Sequence, residues 1–246
     1  MSKKEFIFGF HAVTTILNKA PERVLQLFRQ EGRNDQRIQS IIQLAKNQHI
    51  PQQILSKLQL DKKAEGGRHQ GILIEVNSLP VKDDNYLFSL IENLTKPAFL
   101  LVLDEIQDPH NLGACLRSAN AADVDAVIIT QHRSVGLTST VRKIASGAAE
   151  TTPLITVTNL ASTLKKLKKV GIWIYGLEEM TTQSIYNTDL TGPLGLVLGA
   201  EGKGLRHLTR ELCDGLITIP MHGTVESLNV SVAAGVCLFE AFRQRL

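Results

Sequence analysis

Apolar and polar positions follow two different regimes along this chain. Up to residue 77 they form short mixed patches. Phe6–Phe8, Val24–Phe28 and Gly71–Val76 (GILIEV) have the make-up of strands. Gly9–Leu17 reads as a short helix, and Ile38, Ile41, Ile42 and Ala45 share one helical face. From Ala98 the regime changes. The runs AFLLVL, AVIIT, PLITV, GIWIYGL, GLVLG and GLITIP are continuously apolar and alternate with helical stretches. Strands without polar alternation, separated by helices, predict a largely parallel sheet covered on both faces. The last helix is the clearest. Val230, Ala233, Ala234, Cys237, Leu238 and Ala241 recur at i, i+3, i+4, i+7, i+8 and i+11, which makes one apolar face.

Between the regimes lies SLPVKDDNYLFSLIENLTKP (78–97), which contains Pro at both ends and one helical stretch over Tyr86–Leu94. We read it as a linker. The predicted organisation is a small α/β domain at 1–77, a linker at 78–97 and a larger α/β domain at 98–246. A chain of 246 residues accommodates this.

Composition narrows the function little. A formal charge of +3 permits a nucleic-acid partner without demanding one. At 5% aromatics, base stacking on exposed rings is not the main binding mode. Cys115, Cys213 and Cys237 form no CxxC pair and read as reduced core cysteines. The seven histidines show no metal-ligand spacing, so no metal is expected. The start MSKKEF lacks the apolar core of a signal peptide, and the apolar runs are too short to span a bilayer. A soluble, cytoplasmic protein without membrane contact is expected.

Three segments at strand ends carry the candidate chemistry, since ligands of parallel sheets sit at the carboxyl ends of strands. In DEIQDPHNLGACLRSANAA (104–122), Asp108 and Pro109 make a good helix start. Asn111 and Gly113 are poor choices for a first helical turn. Arg117 lies among Ala114, Cys115, Leu116 and Ala119, where a cation suggests an anion to meet. In LVLGAEGKGL (196–205) a buried strand ends in three glycines and Glu201, where backbone can approach a ligand closely. A phosphate loop fails on spacing, because Val197 and Gly204 stand where it needs Gly and Ser or Thr. In IPMHGTVESLNVS (219–231), five hydrogen-bonding residues crowd one loop: His222, Thr224, Glu226, Ser227 and Asn229. A simple connection needs one cap. Ser227 or Asn229 as that cap, and either as a ligand contact, both fit the pattern.

The order DPxNxGxxxRxA, LVLGxEGxG, IPMxGxxxSLNVSxA resembles the SpoU family of RNA ribose 2′-O-methyltransferases across 98–246. RKIASGAAE (142–150) resembles that family too. GFHAV (9–13) and HQGILIEV (69–76) resemble the RNA-binding domain that precedes the catalytic one in several members. The resemblance implies a knotted α/β domain, an exception to the unknotted rule, that binds S-adenosyl-L-methionine (SAM). It places Gly199, Ala200, Ile219, Met221 and Leu228 at the cofactor. It places Asn111, Arg117, Glu201, Ser227 and Asn229 at the polar active site. It implies a homodimer with its active site near the interface, and α-helix 229–242 is a candidate interface element. Methylation of a guanosine ribose in 23S ribosomal RNA is the expected reaction. A tRNA ribose methyltransferase and a non-catalytic RNA- or ribosome-binding protein are the alternatives. Lys3, Lys4, Arg23, Arg29, Arg33, Arg37 and Arg68 are candidate phosphate contacts, against a reading of ordinary surface charge. The Lys165–Lys169 cluster reads as a solvated helix face.

Overall fold

The computed structural model describes residues 4–64, 67–78, 81–200 and 202–246. The chain forms two compact units, one of Met1–Pro80 with Leu137–Glu150 and one of Val81–Gly136 with Thr151–Leu246.

The first unit carries the strands β1 (Lys4–Phe8), β2 (Val24–Gln30), β3 (Gln52–Leu55) and β4 (Ile72–Asn77) in the sheet order β1-β4-β2-β3. β4 runs antiparallel to both β1 and β2, and β3 is a parallel edge strand beside β2. The helices are α1 (Phe10–Lys19), α2 (Gln36–Asn47) and α3 (Lys57–Lys63). Asp35 caps α2 by accepting from Ile38 N, and Ser56 with Gln59 forms a capping box on α3. Ile38, Ile41, Ile42 and Ala45 are all buried, as their spacing predicts. Ile7, Val13, Leu17, Leu27 and Ile74 fill one core, while Phe8, Phe28, Leu60 and Leu73 form another.

The segment 137–150, assigned to the larger domain by the sequence pattern, packs in the first unit. It holds α6 (Ser139–Ala145), capped by Thr138, and a 3-10 turn at Ala148–Glu150. Between them Gly147 has φ +93, and a Cβ there would come within 2.6 Å of Thr15 Oγ1, so the turn needs glycine. Four charges lock the segment down. Arg142 pairs with Glu5 (3.1 Å) and Glu150, and Arg23 pairs with Glu150 (3.2 Å) and Glu5 (3.5 Å). The Arg142 and Glu150 side chains are only 6% and 3% exposed. Arg23 is therefore an internal ion-pair partner, not a surface phosphate contact; Lys3 lies outside the described residues.

The second unit has a six-stranded, all-parallel sheet in the order β10-β8-β9-β5-β6-β7. The strands are β5 (Phe99–Leu103), β6 (Ala126–Thr130), β7 (Leu154–Val157), β8 (Trp173–Leu177), β9 (Leu194–Leu198) and β10 (Gly215–Ile217). Every residue of β5, β6 and β9 is buried, the cause of their unbroken apolar sequence. The helices are α4 (Asp84–Glu92), α5 (Pro109–Ala121), α7 (Leu160–Lys169), α8 (His207–Leu212) and α9 (Val230–Gln244). The helix foreseen inside the linker is α4. It belongs to this unit's core, with Leu87 fully buried. Lys168 of the lysine cluster is tied to Asp214 at 2.7 Å.

Strand order decides where a ligand fits. From β5 the chain steps outward through β6 and β7, then crosses to build β8, β9 and β10 on the other side. The reversal falls between β5 and β9, and such switch points open a crevice at the carboxyl ends.

Candidate active site

A cavity of about 610 Å³ opens at the carboxyl ends of β8, β9 and β10, within the size range of small-molecule sites. Its walls come from Leu177–Glu179 at the end of β8, from Leu198, Gly199, Ala200, Gly202, Lys203 and Gly204 after β9, and from Thr218–Met221 after β10. The start of α9 closes it.

All five residues expected at a cofactor line this cavity: Gly199, Ala200, Ile219, Met221 and Leu228. Ser227 and Asn229 line it too. Asn229 is the N-cap of α9, its Oδ1 accepting from Ser231 N (2.9 Å) and Ser231 Oγ (2.7 Å). Its other end is also engaged, because Nδ2 donates to Asn111 Oδ1 at 3.1 Å. Cap and cavity residue are thus one and the same. Asn111 sits in the first turn of α5, 7% exposed. A buried amide needs partners, and the bond to Asn229 joins α5 to the cavity loop. Asp108 caps α5 through His110 N at 2.8 Å, and this bond holds its carboxyl below the usual range.

Arg117 is placed differently. It lies on α5, exposed, and does not line the cavity. Glu201 lies outside the described residues. The pattern missed Glu178, Glu179, Thr218 and Lys203 as lining residues. The signal for the first two was the carboxyl end of GIWIYGL.

The glycine loop is tight. A Cβ on Gly199 would fall inside 3.0 Å of Gly204 C, Gly204 O and Leu205 N. Gly202 and Gly204 have φ +70 and +64, the left-handed region that favours glycine. Gly204 N and Lys203 N both donate to Ala200 O, at 2.9 and 3.3 Å. Carbonyls and amides are thereby brought to the cavity wall without side chains in between. Among the described residues no group of three His, Cys, Asp or Glu could hold a metal ion. Nor is any helix there long and apolar enough to cross a membrane.

The α9 face of Val230, Ala233, Ala234, Cys237, Leu238 and Ala241 is buried within the unit, so its small residues serve internal packing. Val232 and Phe239 stay 51% and 47% exposed.

The fold and the cavity define a two-unit α/β protein with a ligand-sized site at the carboxyl ends of a parallel sheet. The chain belongs to the SpoU rRNA Methylase family, whose model matches residues 98–239. Residues 6–81 match the model for RNA 2′-O ribose methyltransferase substrate binding.

Among individual relatives, the chain is 50% identical over 245 residues to the 23S rRNA (guanosine-2′-O-)-methyltransferase RlmB of Shewanella oneidensis, covering 100% of this chain and 99% of that one. The protein of the same name from Escherichia coli is 51% identical over 241 residues, covering 98% and 99%. The solved SpoU methyltransferase AviRb from Streptomyces viridochromogenes, in complex with the cofactor AdoMet, has TM-score 0.82. It is 21% identical, with 98% of this chain and 90% of that chain covered. That likeness shows the fold.

Proposed function

We propose that this chain transfers the methyl group of SAM to the ribose 2′-hydroxyl of a guanosine in 23S ribosomal RNA. What carries the reading is one coincidence. The chain is about half identical, end to end, to relatives named for that reaction, and seven of the expected site positions line one cavity.

The residues suit such a cofactor. The close approach of Gly199 to Gly204, where a Cβ would overlap backbone, leaves main-chain groups of the loop at the cavity wall. Ile219, Met221 and Leu228 supply apolar wall. Glu178, Glu179 and Glu226 line the cavity and favour a cationic group. SAM supplies the electrophilic methyl, so no metal is required for the transfer. Asn111 and Asn229 hold each other and fix the loop that faces the ribose. The 2′-hydroxyl must lose its proton as its oxygen bonds to carbon. Arg117 is unsuited as the base, because a guanidinium does not give up its proton. It is suited to clamp the adjacent phosphate or to offset charge developing on the oxygen. Glu201 or a phosphate oxygen then takes the proton.

The assembly we propose is a homodimer with the site at the interface. Arg117 is exposed on α5 off the cavity, and α9, which packs against α5, exposes Val232 and Phe239. The test is methyl transfer to unmodified 23S RNA with mapping of the new 2′-O-methyl group. Arg117→Ala should abolish transfer with SAM affinity intact and RNA affinity modestly reduced. Mixing it with Asn229→Ala should restore part of the activity through mixed dimers. Unchanged RNA affinity of Arg117→Ala sinks the phosphate clamp, and no SAM binding by the unaltered chain sinks the reaction.

A further inference from the structure

Among the described residues, the most enclosed carboxylate of the second unit's strand ends does not line the cavity. Asp104 follows β5, and its side chain is 0% exposed. A buried charge persists only when paired. Its Oδ2 accepts from Arg206 Nε at 3.0 Å and from Thr209 Oγ1 at 2.7 Å. Its Oδ1 faces Arg206 Nη2 at 2.7 Å as an ion pair whose N–H direction misses the oxygen. Its backbone N–H donates to Leu198 O at 2.8 Å. Leu198 is the last residue before the glycine loop, and Arg206 follows the loop after Leu205. One residue therefore ties both stems of that loop, by its main chain on one side and its carboxylate on the other.

Its neighbour reinforces the tie. Glu105 takes φ +65, which is strained for a non-glycine residue. In that conformation its Oε1 pairs with Arg206 Nη1 at 3.4 Å and Arg133 Nη1 at 3.2 Å. Arg206 thus meets two successive carboxylates. The loop's own internal bonds are weak by comparison: among the described residues they are the two to Ala200 O. An ion pair that buries its carboxylate is a poor source of stability compared with apolar packing. What it supplies is a fixed geometry between the groups it joins, and here those groups are the ends of the cavity's backbone wall.

We propose that Asp104 is a positioning residue for the methyl donor. It sets the separation of the loop stems, so the backbone groups of Gly199, Ala200, Lys203 and Gly204 meet SAM already arranged, and the ordering cost is not taken from binding. The inference rests on the cavity being the SAM site.

The experiment uses the full chain with Asp104→Asn, Thr209→Val and Thr209→Ser. SAM affinity is measured by calorimetry, amide exchange of Lys203 and Gly204 without ligand, and kcat and KM for SAM separately. The expected result is a SAM Kd raised about tenfold by Asp104→Asn and about threefold by Thr209→Val, as for weakening a hydrogen bond to a charged group. Exchange of the two amides should quicken in both, kcat at saturating SAM should hold, and Thr209→Ser should return to the unaltered values. Folded variants that melt earlier yet keep the Kd and the exchange rates would overturn the proposal and leave Asp104 structural. If Asp104→Asn fails to fold, Thr209→Val decides, because it keeps the carboxylate paired with Arg206. If the unaltered chain does not bind SAM, the cavity reading is lost. The exchange of Lys203 and Gly204 still judges the tether, and no change in it refutes the tie.

Discussion

Gly199→Ala is the most direct test of how the cavity is built. Gly199 does not have a positive φ, so its backbone conformation is open to alanine. What forbids a side chain is space. The added Cβ would fall inside 3.0 Å of three atoms, and all three are backbone atoms of Gly204 and Leu205. No rotamer change relieves that. The strand side is fixed, because Leu198 lies in the ladder with β5, so the loop must retreat by on the order of 1 Å. The Gly204 N to Ala200 O bond at 2.9 Å is then broken. Overpacking costs about 1–3 kcal/mol and the lost hydrogen bond about 1 kcal/mol. Together these should lower Tm by roughly 4–16 °C in a chain of this size. The retreating wall should also weaken SAM binding about tenfold or more. Gly202→Ala is the control. Its Cβ would meet nothing within 4 Å, so it carries only the left-handed strain of about 1–2 kcal/mol. Scanning calorimetry with and without SAM reads both effects. A Gly199→Ala protein that melts within about 1 °C of the unaltered chain, with its SAM affinity kept, would refute the argument.

Two further outcomes are expected. Arg142→Met strips the Glu150 carboxylate, 3% exposed, of one of its two cations. It should cost the first unit about 3–5 kcal/mol in a denaturant titration, and a loss below about 1 kcal/mol counts against a buried network. The thiols of Cys213 and Cys237 are each pushed up to about 12 by burial. A raised acid pKa keeps the group neutral, so at pH 8 only about one molecule in ten thousand is thiolate at either site. Neither should react with iodoacetamide until urea unfolds the chain, and ready alkylation of the native protein would contradict this.

The larger sheet was legible because its strands are buried on both faces, and burial on both faces leaves no polar residue to break the run. β3 was not, since QQIL presents one buried residue at a sheet edge and an edge strand needs little apolar pattern. α4 looked like a linker helix because prolines flank its segment, yet Leu87 is buried and Phe88, Leu90 and Ile91 pack against the core. The site was legible as three loops. Their convergence was not, because sheet order rather than spacing brings 199–204 beside 218–221. The Asn111–Asn229 bond spans 118 residues, and nothing local to either asparagine announces it. Of the polar residues the motif resemblance picked out, Asn229 lines the cavity and Arg117 does not.

The ion pairs between Glu5 and Arg142 bear on how this chain folds as it is made. They join residues 137 positions apart, and the first unit closes only when Leu137–Glu150 has joined it. A ribosome that has released the first eighty residues has therefore not released a finished unit. Glu5 and Arg23 have only each other and lack Arg142 and Glu150 while β5, α5 and β6 emerge, so the usual order of N-terminal domain first does not hold. The same connectivity spoils the obvious dissection. A fragment beginning at residue 81 would carry Arg142 and Glu150 on a segment whose seat has been cut away. RNA binding lost by such a fragment would report misfolding of 137–150 as readily as a missing substrate grip. Point changes on the exposed surface of the first unit separate the two.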